Sequence, residues 1–149
     1  MNLELVTQQI NNISLSYAFD GPEKAPVITF AHALSLNARC FEPQVSAFRD
    51  DYRVLLLDLR GHGNSDIDGA PFSIEDLAND IAALLDYLNV RQTHFVGSSL
   101  GGMVGLAMAF NHADRLFSLT FMASQGALPP ERIKTARTTI EEMRASNAT

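Results

Sequence analysis

Cysteine is nearly missing from this sequence: Cys40 is the one thiol in 149 residues. A lone thiol excludes an internal disulfide, and no group of Cys and His has the spacing of zinc ligands. Cys40 is expected as a small residue packed near a helix start. Basic residues are few and scattered as well. Eleven Lys and Arg stand against seventeen Asp and Glu, a net charge of -6. There is no basic run, and a nucleic-acid partner is not expected, because such binding needs a basic face. No apolar run approaches the roughly 20 residues that span a bilayer. The start, Met1 to Leu5, lacks the basic segment and apolar stretch of a secretory leader. The expectation is a cytoplasmic protein with no membrane partner. Internal repeats and low-complexity segments are absent too.

What is present reads as one ordinary globular core, with 46% hydrophobic and 19% charged residues. Leu3 to Gln8 and Ile13 to Phe19 alternate apolar and polar residues, which predicts two antiparallel strands around a turn at Asn11-Asn12. Asp20-Gly21-Pro22 reads as a turn. Pro26 to Ala31 and Tyr52 to Leu57 are short apolar runs of the kind buried on both faces of a sheet. A helix is expected between them, around Ala38 to Phe48. A polar, glycine-rich loop, Asp58 to Asp68, follows the second run.

Ser73 has the position of an N-cap, with Asp76 three residues on as a capping-box acid. Leu77, Ile81, Leu84, Leu85 and Leu88 then form one apolar helical stripe. His94 to Ser98 reads as a strand. Leu100 to Phe110 is apolar nearly all round, as in a helix buried between layers. Leu116 to Ala123 is a further apolar strand. Pro129 and Pro130 open a polar helical stretch, Glu131 to Arg144. Strands alternating with helices imply right-handed crossovers and a mostly parallel sheet with helices on both faces.

Gly97-Ser98-Ser99-Leu100-Gly101 matches G-x-S-x-G, and it sits where a β-rich run ends and a buried helix begins. The chain must reverse there within a few residues, which forces Ser99 into a strained backbone conformation. Side chains two positions to either side would collide, so Gly97 and Gly101 meet a steric need. Gly102 would let the helix approach the sheet. Ser99 is thereby lifted above the carboxyl ends of the strands, at a helix N-terminus whose N–H groups favour a developing oxyanion. Leu100 N–H is the expected first oxyanion donor, and the loop at Ala33-Leu34 the source of a second. The competing reading makes Ser99 a plain N-cap in a tight turn.

HFVGSSLGGMVGLAMA resembles the nucleophile elbow of α/β-hydrolases. AHALSLNARCFEPQVSAF resembles their oxyanion loop and first helix, and DLRGHGNSD their glycine-rich loop after the fourth strand. Within that superfamily the pattern is most similar to 3-oxoadipate enol-lactonases and the neighbouring small esterases and cofactor-free haloperoxidases. The resemblance implies a three-layer α/β sandwich with an antiparallel amino-terminal hairpin. Residues 1–126 would be the amino-terminal part of the core, cut after the sixth strand, and residues 127–149 the start of a cap. It implies a serine hydrolase of small esters or lactones, such as 3-oxoadipate enol-lactone, with no cofactor and no metal. The triad acid and histidine would lie beyond residue 149. Where many relatives have His-Gly after the third strand, this chain has His32-Ala33-Leu34.

The histidines present offer no clear base. His94 and His112 are expected at the amino end of the sheet, roughly 15–20 Å from Ser99. His32 and His62 are on the right side but are expected in local hydrogen bonds. Asp58, Asp66 and Asp68 read as turn carboxylates, and Arg60 with Gly61 and Gly63 lacks the spacing of a phosphate loop. Met103, Met108 and Met122 are expected in the core. Two functions follow: a serine hydrolase when the acid and histidine are supplied, or a non-catalytic binding scaffold if this chain acts alone. An apolar Leu116–Ala123 strand at the sheet edge is expected to recruit another chain.

Overall fold

The structure, a computed structural model, describes residues 4–67 and 69–124. Six strands form one sheet in the order β1-β2-β4-β3-β5-β6. The strands are β1 Val6–Ile10, β2 Ile13–Asp20, β3 Val27–Ala31, β4 Arg53–Leu57, β5 Thr93–Ser98 and β6 Leu116–Met122. The helices are α1 Glu42–Phe48, α2 Ile74–Tyr87 and α3 Leu100–Asn111. The first two strands pair antiparallel and β2 meets β4 antiparallel, whereas β4, β3, β5 and β6 run parallel.

The amino-terminal hairpin closes through Asn11 and Asn12, with φ of 47° and 67°. Two positive φ values in a two-residue loop match the right-handed twist of the strands, and asparagine tolerates them. Ile10 pairs with Ile13, so β1 runs straight into the turn and ends two residues later than the sequence pattern predicts. The expected helix at Ala38 to Phe48 divides. Asn37 caps one 3₁₀ turn, Ala38–Phe41, and α1 begins after it with Pro43 in its first turn. Proline has no N–H to give, and it is tolerated only there.

Period-two alternation decides which face each central side chain covers. Val54 and Leu56 of β4 join Ile28, Phe30, Phe41 and Val45 under α1. Leu55 and Leu57 point the other way, among Leu77, Ile81, Leu85, Phe95 and Met108 of the α2–α3 side. These two clusters make the three layers. The α2 stripe is buried as its spacing predicts, and Ser73 and Asp76 form a capping box. The stop of α2 was not foreseen. Asn89 sits at φ 56°, while Val90 N–H bonds Leu85 O and Asn89 N–H bonds Asp86 O. That is a Schellman ending with asparagine in the left-handed seat.

Three placements differ from expectation. Cys40 is exposed, because it falls on the outer side of the 3₁₀ turn whose inner residues are Ala38 and Phe41. Met103 and Met122 are exposed, while Met108 is buried. Met103 lies on the part of α3 turned from the sheet, and Met122 ends the outermost strand. The helical stretch Glu131 to Arg144, the cap region 127–149 and Asp68 lie outside the described residues. None of the described helices is long and apolar enough to cross a membrane.

Candidate active site

The chain leaves β3 towards β4 on one side and later crosses back to β5 on the other. The carboxyl ends of β3 and β5 are therefore neighbours at the point where strand order reverses, with Ala31 paired to Gly97. Open α/β sheets place their sites at such a crevice. The loop after β3 and the turn after β5 meet there because of topology alone.

Ser99 holds φ 49° and ψ -107° between β5 and α3. Such a conformation costs a non-glycine residue on the order of 1–3 kcal/mol. The surroundings hold it in place. Ser99 N–H donates to Met122 O at 2.9 Å, and Gly101 N–H donates to His32 O at 3.0 Å. The turn is thus tied to the ends of both flanking strands. A Cβ on Gly97 would strike the Gly101 carbonyl, and one on Gly101 would strike the Ala31 carbonyl. At Gly102 a Cβ would crowd Ser124, and at Gly105 it would crowd Leu119 and Phe95. The small residues let α3 lie directly on the sheet.

The Ser99 side chain makes no capping hydrogen bond, which removes the plain N-cap reading. It is half-buried rather than sealed in the core. The Leu100 N–H, first in α3, has no hydrogen-bond partner among the described residues. It sits at the positive end of a twelve-residue helix, where N–H groups and the helix dipole favour a negative oxygen. Across the crevice the Ala33 and Leu34 N–H groups are likewise without partners among the described residues. The arrangement can hold a hydroxyl at an exposed turn with amide hydrogens close by, which is what acyl transfer needs apart from a base.

All four histidines are engaged elsewhere. His94 contacts the Ser118 hydroxyl at 2.9 Å and His112 the Asn79 amide oxygen at 2.8 Å, both at the amino end of the sheet. His62 donates from Nδ1 to Arg60 O at 3.0 Å. His32 is fully buried, between Ala33 O at 2.8 Å and Leu59 N–H at 3.0 Å. Asp58 is buried and accepts Ala38 N–H at 2.7 Å and Asn64 N–H at 2.9 Å. Its bond to Asn64 lies within the glycine-rich loop, as the turn reading expects, but the bond to Ala38 ties that loop to a segment 20 residues away, which turn chemistry does not foresee. Asp66 accepts Ile67 N–H at 2.8 Å, a local bond of the same sort.

Arg60 is buried. It forms a two-pronged pair with Asp80 of α2, both contacts 2.8 Å, and Asn11 adds a bond to the same carboxylate at 3.0 Å. Sequence reasoning missed Asp80. The signal was a carboxylate one residue before Ile81, on the apolar stripe, where an acid is retained only if paired. No group of three or more His, Cys, Asp or Glu among the described residues could hold a metal ion.

Residues 26–146 match the family model described as alpha/beta hydrolase fold. The chain belongs to the α/β-hydrolase family. Within it, the chain is 38% identical over 107 residues to 3-oxoadipate enol-lactonase 1 of Acinetobacter baylyi, an alignment covering 72% of this chain and 40% of that protein. It is 37% identical over 102 residues to a pimeloyl-[acyl-carrier protein] methyl ester esterase of Aeromonas hydrophila, covering 68% of this chain and 39% of the relative. Among solved structures, the enol-lactonase from Burkholderia xenovorans superposes with a TM-score of 0.74 at 36% identity, covering 76% of this chain and 45% of that one. A hydrolase from Pseudomonas aeruginosa gives 0.80 at 31% identity, over 90% and 51%. The chain spans less than half the length of the two curated relatives.

Proposed function

We propose that this protein hydrolyses small carboxylic esters or lactones through an acyl-enzyme on Ser99. The observation that carries the reading is the strained Ser99 turn, its hydroxyl uncommitted to a cap and Leu100 N–H uncommitted beside it. In this reading Ser99 Oγ attacks the substrate carbonyl. The Leu100 N–H and a second N–H from Ala33-Leu34 hold the oxyanion, and water then releases the acyl group. The four described histidines are engaged, so the base and its orienting acid come from outside residues 4–124. No cofactor takes part. The substrate class, including an enol-lactone of a keto acid, is supported by the names of the relatives. The division into a core over 1–126 and a cap from 127 belongs to the same reading, as does a cytoplasmic location.

The test is labelling by a fluorophosphonate probe together with hydrolysis of p-nitrophenyl acetate and an enol-lactone by the full encoded protein. Ser99→Ala should abolish the label and lower turnover on the order of 10⁴-fold or more. Intact hydrolysis in that variant would falsify the proposal. A binding scaffold is the second reading for the 149-residue chain by itself. It is favoured by the engaged histidines, and Ser99-dependent turnover by that chain excludes it.

A further inference from the structure

Ser124 Oγ is buried and has no hydrogen-bond partner among the described residues. A buried hydroxyl left unpaired is costly, and native structures supply a partner for almost all of them. Ser124 follows β6, and the chain turns through Ala123 at φ 48° just before it. Ala123 is thus strained at the end of β6, as Ser99 is at the end of the neighbouring β5. The two turns are tied together, since Met122 O takes the Ser99 N–H. A Cβ on Gly102 would come within 2.7 Å of Ser124 Cβ and 2.9 Å of its Oγ. Ser124 therefore lies directly on the first turn of α3. The residue as a whole is half-buried. A serine χ1 has three staggered positions, so one rotation carries the oxygen from under cover to the open side of β6.

The sides of Ser99 differ in what they hold. β5 stands between β3 and β6. On the β3 side the loop closes on itself through Leu36 N–H and Ala33 O, 3.1 Å apart. Behind the turn lies α3. The β6 side ends at Ser124, the last described residue. A base and acid from outside residues 4–124 have that side open to them. In a serine–histidine–acid triad both imidazole nitrogens are used: Nε2 bonds the serine and Nδ1–H bonds the acid. The imidazole has no nitrogen left for a third group. The acid does have room, because an ionised carboxylate accepts at about four lone-pair sites. A hydroxyl can donate to one of them, and the head of α3 favours a negative charge beside it.

We propose that Ser124 is a positioning residue whose hydroxyl donates to the carboxylate that orients the base, on the β6 side of Ser99. This rests on the reading of Ser99 as nucleophile. The bond fixes the carboxylate against α3 and, through it, the imidazole over Ser99 Oγ. It also draws off part of the negative charge that stabilises the imidazolium. Without the donor the carboxylate is free to turn, and it holds the imidazolium more strongly.

The test uses the full encoded protein, with kcat read per site titrated by the fluorophosphonate probe, so that unfolded molecules are not counted. Ser124→Ala should lower kcat about 10-fold or more with KM little changed, the loss of one bond to a charged group. The acid limb of the kcat/KM profile, which reports the base, should move to higher pH. Ser124→Thr keeps the hydroxyl and should restore both. A serine that only packs on Gly102 gives a different result: Ser124→Ala is at least as stable, and kcat and the acid limb stay where they were. That result overturns the proposal, as do equal losses in the two variants. The far-downfield proton resonance of the imidazole–carboxylate bond gives a readout free of turnover. It should shift in Ser124→Ala and return in Ser124→Thr, and an unmoved resonance overturns the proposal too. If the probe labels no site, or Ser99→Ala still hydrolyses, the nucleophile reading fails and the role of Ser124 falls with it. A labelled, Ser99-dependent enzyme indifferent to Ser124→Ala removes the role of Ser124 alone.

Discussion

Ser99 carries a φ of 49° because the glycines around it leave no other way to reverse the chain so tightly. The steric argument has a direct consequence at Gly101. Its absent Cβ is where the Ala31 carbonyl lies, and backbone does not yield as a flexible side chain does. Gly101→Ala should cost about 2–3 kcal/mol in denaturant unfolding, the scale of an overpacked site, and should slow fluorophosphonate labelling of Ser99. Full stability in this variant would mean that α3 can lift from the sheet. The collision could be foreseen from the G-x-S-x-G spacing. The partner of that collision could not, because Ala31 is brought opposite Gly97 only by the β3–β5 register.

Local rules account for the ends of α2. Ser73 and Asp76 exchange side-chain and backbone bonds across the first turn, and both residues were legible as a capping box. Ser73→Ala should lower stability by about 1 kcal/mol, read as a fall in the urea midpoint with an unchanged slope. Asp76 adds a pH dependence. Its bonds to Ser73 hold its carboxyl below the ordinary value of 3.8. The stabilisation is therefore complete above 3.8 and is lost as the pH falls through the lower, folded value. In Ser73→Ala this acid-limb loss should shrink, which an acid titration of unfolding would show. The Schellman stop at Asn89 escaped the sequence reading, since an asparagine in a polar stretch is equally at home in any turn.

Long-range ties hold the hairpin, the glycine-rich loop and α2 together. Arg60 and Asp80 pair in the interior with Asn11 bonded to the same carboxylate. Asp80→Ala removes the carboxylate from a buried guanidinium and should cost about 3 kcal/mol or more, seen as a lowered Tm. A neutral outcome would show that water or another group replaces it. At the other side of the sheet, β6 is the last strand among the described residues, and Phe117, Phe121 and Met122 on it are exposed. We propose that this edge pairs with that of a second copy. Sedimentation should then depend on concentration and move towards monomer in Phe121→Lys; identical profiles for both proteins would exclude it.

Strand and helix types, the turn at Asn11-Asn12, the cap at Ser73 and the Ser99 elbow all depend on neighbours within a few residues, and periodicity and turn chemistry are written at that range. The two-faced alternation of β4 was likewise a short-range pattern, though which helix would cover each face was not. Strand order, the crevice between β3 and β5, the Arg60–Asp80 pair with Asn11 and the bond from Leu59 to His32 join residues from 20 to 70 positions apart. Nothing in a local pattern chooses among distant partners for a buried charge or imidazole. Folding chooses them, because each such group must find a bond once water is removed. Cys40, Met103 and Met122 mark the converse: their chemistry suited a core, and their position on an outer turn, an outer helix face and an outermost strand left them in solvent.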